Sequence, residues 1–142
     1  MINNKAPELS INAARGYSPL ALAFIGDAVY EAFIRTKILL KANTSANKLH
    51  KACTAFVKAS AQSLAMKLLA EKLTEEEAAV YKRGRNAHSA TVPKHADLMD
   101  YRIATGFEAL IGYLYLTAQS ERLNALMEEA YAIITENKAE RP

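Results

Sequence analysis

From Ser18 onward, apolar residues recur at three-and-four spacing, and no stretch alternates apolar with polar residues along a β-branched run. The pattern predicts an all-α chain. Ser18-Pro19 opens the first helix, as an N-cap serine followed by the proline favoured at the first helical position, and its apolar residues continue to about Leu39. Thr44 or Ser45 caps a second helix, whose positions Leu49, Ala52, Cys53, Phe56, Val57, Ala61, Leu64, Ala65 and Leu68 form one stripe. Thr74-Glu-Glu-Glu77 is a capping box for a third helix reaching about Arg83. The period fails from Gly84 to about His95, where Gly84, Asn86, Ser89, Thr91 and Pro93 predict a polar loop. A short helix is expected over Ala96 to Asp100, a strongly apolar one from Tyr101 to about Ala118, and a last one from Ser120 to about Ile134, with a polar tail that frays.

The first helix carries Leu20, Leu22, Phe24, Ile25, Val29, Tyr30, Phe33 and Ile34 around more than one face, so it is expected either at the centre of the domain or shared with a partner subunit. At 142 residues, half of them hydrophobic, the chain has material for one core, and residues 1–142 are expected to form a single domain with its core over about 18–135. The lone Cys53 excludes a disulfide framework and reads as a small buried hydrophobe. The N-terminus lacks the apolar segment of a secretory leader, and the longest apolar stretches are interrupted by Asp27, Glu31 or Glu108, so a cytoplasmic protein with no membrane partner is expected.

Net charge is only +3, but it is unevenly spread. Between Ala32 and Ala70 stand Arg35, Lys37, Lys41, Lys48, Lys51, Lys58 and Lys67 with no acid, and the stretch from Lys82 to Arg102 is also net basic. Two basic blocks in a nearly balanced chain suggest a face that meets a polyanion; solvation of helix surfaces is the competing explanation.

Asp27 follows Gly26 inside one apolar helix, and Glu108 stands two residues after Gly106 inside another. An ionised carboxylate in such a setting costs several kcal/mol unless it is compensated, and each glycine costs about 1 kcal/mol of helix propensity relative to Ala. Helices crossing near Gly26 and Gly106 would bring Asp27 and Glu108 together, offering four oxygens to a hard divalent cation completed by water and phosphate. The alternative is that each carboxylate accepts a hydrogen bond from a neighbour such as Tyr30 or Tyr113. Glu31, four residues after Asp27, could assist through a water, although Arg35 is an equally placed salt-bridge partner. Arg83, Arg85, Asn86, His88, Ser89, Lys94 and His95 in and beside the loop suit phosphate and 2′-hydroxyl contacts; Lys58 and Gln62 are further candidates on the cationic helix.

Phe24-Ile-Gly-Asp-Ala-Val29 resembles the signature of the ribonuclease III endonuclease domain, and Phe107-Glu-Ala-Leu-Ile-Gly112 resembles that domain's second metal-binding helix. The resemblance covers roughly Ser18 to Arg122, and Lys82-Arg-Gly-Arg-Asn-Ala87, with a chain ending without a double-stranded-RNA-binding domain, is similar to the mini-ribonuclease III branch. It implies that Asp27 and Glu108 are catalytic metal ligands for Mg²⁺, with Mn²⁺ able to substitute. Two further carboxylates of the family are absent, since Ala23 and Thr105 occupy their places. The resemblance further implies a homodimer paired through the signature helix and hydrolysis of double-stranded RNA to 5′-phosphate and 3′-hydroxyl ends. It also implies processing of the 23S ribosomal RNA precursor, with a ribosomal protein as an accessory partner. Two other classes stay open on the residues alone: a non-catalytic helical RNA-binding or assembly module, and a metal-dependent nucleotide phosphohydrolase.

Overall fold

The computed structural model describes residues 6–87 and 97–140, with side chains to residue 138. Among these the regular structure is entirely helical: α1 (Ile11–Arg15), α2 (Pro19–Lys41), α3 (Ala46–Val57), α4 (Ala59–Leu69), a 3₁₀ turn (Ala70–Lys72), α5 (Glu75–Asn86), α6 (Leu98–Leu116) and α7 (Ser120–Glu140). Local signals set several of these starts. Ser18 Oγ accepts from the Ala21 amide with Pro19 in the first turn, Ser45 Oγ accepts from Lys48, and both halves of the Thr74–Glu77 capping box are formed.

The helix opened by Ser18-Pro19 is the second and not the first, since the short α1, capped by the Ser10 side chain on the Ala13 amide, precedes it. Four boundaries also differ from the sequence expectation. The single cationic helix is two: at Lys58 the backbone turns extended (ψ 153°), so this residue ends α3 and opens α4. Gly84, Arg85 and Asn86 belong to the last turn of α5 rather than to a loop. The short helix expected before Tyr101 is simply the start of α6, capped by the Asp97 side chain on the Asp100 amide. The last helix runs on to Glu140.

Helix α6 is the centre of the domain. Every residue from Ile103 to Leu114 is buried except Glu108, and α2, α4, α5 and α7 all pack on it. By contrast α2 buries Leu22, Ala23, Gly26, Tyr30 and Ile34 but leaves Phe24 81% exposed. Its surplus of apolar residues therefore looks outward.

Glycine sets two close helix crossings. A Cβ at Gly26 would fall 1.8 Å from the Glu108 carbonyl oxygen, and one at Gly112 would fall 1.9 Å from that of Leu22. Helices α2 and α6 thus meet backbone to backbone at Gly26 and Gly112, not at Gly26 and Gly106. Gly106 serves a different contact, with α5, where a Cβ on Gly84 would come within 2.9 Å of the Gly106 Cα.

Candidate active site

Asp27 follows the α2 glycine at the crossing, and Glu108 is the α6 residue whose carbonyl fills the space that glycine leaves. Their carboxyl groups lie within hydrogen-bonding reach of each other. Burial pushes the Glu108 pKa up to about 8, aided by its contact with Asp27 and by the charge of Glu31, while the nearby Gln62 amide acts in the opposite direction. Among the described residues neither acid has a lysine or arginine ion-pair partner. Glu108, partly buried beside the exposed Asp27, is therefore mostly protonated at neutral pH.

Neither tyrosine hydroxyl that would make these acids merely structural is hydrogen-bonded to them among the described residues, and that of Tyr113 is buried without a partner. Tyr30 donates to the Phe56 carbonyl oxygen at 3.2 Å, with its ring edge-on to Phe107. The Tyr113 hydroxyl stands near Glu76 and Gln119. Glu31 pairs with Arg35 at 3.0 Å. Ala23 is buried, and Thr105 turns its hydroxyl to the Tyr101 carbonyl oxygen at 2.9 Å. No third His, Cys, Asp or Glu joins the two carboxylates among the described residues.

The basic candidates fall into separate groups. Arg83 is exposed and reaches the Tyr17 carbonyl oxygen at 3.4 Å. Arg85 lies over the Tyr81 ring and donates to Asn86 Oδ1 at 3.3 Å. Because Gly84 between them is buried against α6, the two arginines leave α5 on opposite flanks. Lys58 is exposed at the α3–α4 junction, one turn before Gln62, but Gln62 itself is 2% exposed and has no surface to offer RNA. His88, Ser89, Lys94 and His95 lie outside the described residues.

In chemistry the donor set fits a hard divalent cation. It consists of two converging carboxylates and an adjacent amide, with no thiol or imidazole among the described residues. Gln62 was placed by the sequence with the RNA contacts; its nearness to Glu108 depends on the chain turning at Lys58, which no local signal announces.

An all-helical domain that crosses two helices at glycine and sets one acid from each beside the crossing is of the ribonuclease III endonuclease type. The Ribonuclease III domain family matches residues 20–119. The chain is 50% identical over 119 residues to Mini-ribonuclease 3 of a Thermoanaerobacter species, covering 84% of each chain. It is 55% identical over 112 residues to Mini-ribonuclease 3 of Clostridium tetani, covering 78% of this chain and 74% of that one. The crystal structure of a Fusobacterium nucleatum protein superposes with a TM-score of 0.75 at 35% identity, over 87% of this chain and 96% of the other. The chain belongs to the ribonuclease III family, and it is an endoribonuclease. No described helix is long and apolar enough to cross a membrane.

Proposed function

We propose that this endoribonuclease cuts double-stranded RNA in a Mg²⁺-dependent reaction, with Asp27 and Glu108 as the protein's cation ligands. The observation that carries the reading is the convergence of these two acids beside the Gly26–Glu108 contact, with no cationic side chain paired to either among the described residues. When bound, Mg²⁺ acidifies a coordinated water and offsets the charge that develops on the phosphate oxygens. The chain's share is positional. Asp27 and Glu108 would hold the cation, Glu108 giving up its proton, and the backbone crossing would keep the two acids at a constant separation. Arg83, Arg85 and Lys58 stand on the surface or near it and supply phosphate contacts. The scissile bond is the one to the 3′ oxygen, leaving 5′-phosphate and 3′-hydroxyl ends.

Two copies act together in this reading. Phe24, 81% exposed and three residues before Asp27, shares a helical face with that acid, so a second copy covering Phe24 would border the cation site. Two such sites cut both strands of a duplex. Precursor 23S ribosomal RNA, with a ribosomal protein shaping it, is the substrate that the likeness to the mini-ribonuclease III branch nominates.

The test is incubation of the purified protein with long duplex RNA and Mg²⁺, beside an Asp27→Asn variant. Wild-type protein cuts; the variant folds with undiminished stability and does not. Equal cutting by both would remove Asp27 from the chemistry, and a monomer at micromolar concentration that cuts both strands would refute the paired sites.

A further inference from the structure

Gln62 is a costly residue at its position. It is 2% exposed among the buried side chains of Ala61, Ala65 and Met66, where an apolar residue of similar volume would pack without polar obligations. Its Nε2 donates to the carbonyl oxygen of Val57, the last residue of α3, at 2.8 Å. Because that partner can only accept, it fixes which end of the amide is nitrogen. The amide also stands close enough to the Glu108 carboxylate to act against the rise in its pKa. Oε1 is shut away from solvent and has no hydrogen-bond partner among the described residues. Buried amide oxygens are rarely left so, and a donor from outside the chain is the natural completion.

The site beside it calls for such an acceptor. Two carboxylates meet there and, among the described residues, no third acid, histidine or thiol joins them. A six-coordinate Mg²⁺ held this sparsely keeps several waters, and a water on a divalent cation is a strong hydrogen-bond donor. Orienting those waters falls to neutral polar groups nearby, and Gln62 is buried beside one of the two ligands.

We propose that Gln62 is a positioning residue of the cation site: anchored at Val57 through Nε2, it presents the unpartnered Oε1 as acceptor for a cation-bound water. The inference rests on the assignment of Asp27 and Glu108 as cation ligands. It also gives the turn at Lys58 a purpose, since the anchor that fixes the amide is the last carbonyl before that turn.

Mn²⁺ binding to the full chain, followed by titration calorimetry without RNA, tests this with Gln62→Met, Gln62→Leu and Asp27→Asn. Gln62→Met should bind Mn²⁺ about tenfold more weakly than wild type, with a cation-free melting temperature equal to or above wild type and an unchanged KM for duplex RNA. Gln62→Leu should behave likewise and serves in its place should the Met variant not fold. Wild-type affinity in the folded variants overturns the inference while leaving the ligand assignment standing, provided Asp27→Asn has lost binding. A parallel fall in cation-free melting temperature in both Gln62 variants makes the residue structural and also overturns it. Absence of Mn²⁺ binding by wild type, or undiminished binding by Asp27→Asn, overturns the ligand assignment and the inference together.

Discussion

Glu77 is buried and Glu108 partly so, and their surroundings drive them in opposite directions. Glu77 on α5 is 3% exposed. It accepts from Arg122 Nε and Nη2 at 2.9 Å each and from the Thr74 amide at 2.9 Å. Burial alone would raise its pKa, but the Arg122 and Thr74 hydrogen bonds outweigh that and leave it below the ordinary carboxylate value. Glu108 on α6 has no such fork, faces another acid, and is raised to about 8. Burial therefore does not by itself mark a functional acid. The difference lies in whether the chain supplies the counter-charge, and at Glu108 it does not.

Glu108→Gln probes the contrast most severely. Cleavage of duplex RNA should fall by at least about a thousandfold, the scale of losing a group that acts on developing charge, while the cation-free melting temperature does not drop. A thermal melt beside a gel assay decides it; retained cleavage would make the two glutamates alike. Arg122→Ala is the converse. Stranding Glu77 in its buried place should cost roughly 3 kcal/mol, read by denaturant unfolding, with cleavage at low temperature unaltered. Loss of cleavage in a fully folded Arg122 variant would mean that the structural pair reaches the site.

A pH series gives a smaller but cleaner separation. Between about 4.5 and about 8 the folded chain keeps a proton on Glu108 that the unfolded chain has released. Cation-free stability should thus decline as pH rises through that window, and the decline should vanish in Glu108→Gln. Glu77, depressed in the fold, contributes its stability above the ordinary carboxylate value and loses it as pH falls further through its folded pKa. The same protonation makes Mg²⁺ affinity rise with pH up to about 8, with proton release on binding that calorimetry in two buffers would detect. Smallest of all is Arg85→Ala, which should weaken duplex binding and reduce the salt slope by about one, with Mn²⁺ affinity unchanged. An unaltered slope would remove Arg85 from the phosphate contacts.

What could be read from the sequence was what is local. The Ser18-Pro19 start and the Thr74 capping box are decided within four residues, and both formed as expected. The acid pair was legible because each motif carries its own glycine and acid, although the geometry was misassigned: Gly112, not Gly106, faces Gly26. Gly84 read as a loop because its packing partner, Gly106, is distant in the chain and invisible locally. The break at Lys58 lies within an unbroken apolar stripe, with no proline or glycine to mark it. A glutamine spaced among lysines likewise looks like a surface residue until the turn brings it to α6.

The crossing of α2 and α6 has a consequence for how this protein can change. At Gly26 and Gly112 the helices touch through backbone carbonyls, at separations that leave no room for a methyl group. The gap between the two acids is thus gauged by main chain rather than by the size of neighbouring side chains. Repacking with aliphatic residues of similar volume elsewhere, at Leu110, Ile111 or Leu126 for instance, can proceed without resetting that gap. An engineer seeking a heat-resistant form of this nuclease should treat the two glycines as untouchable and the surrounding core as free material.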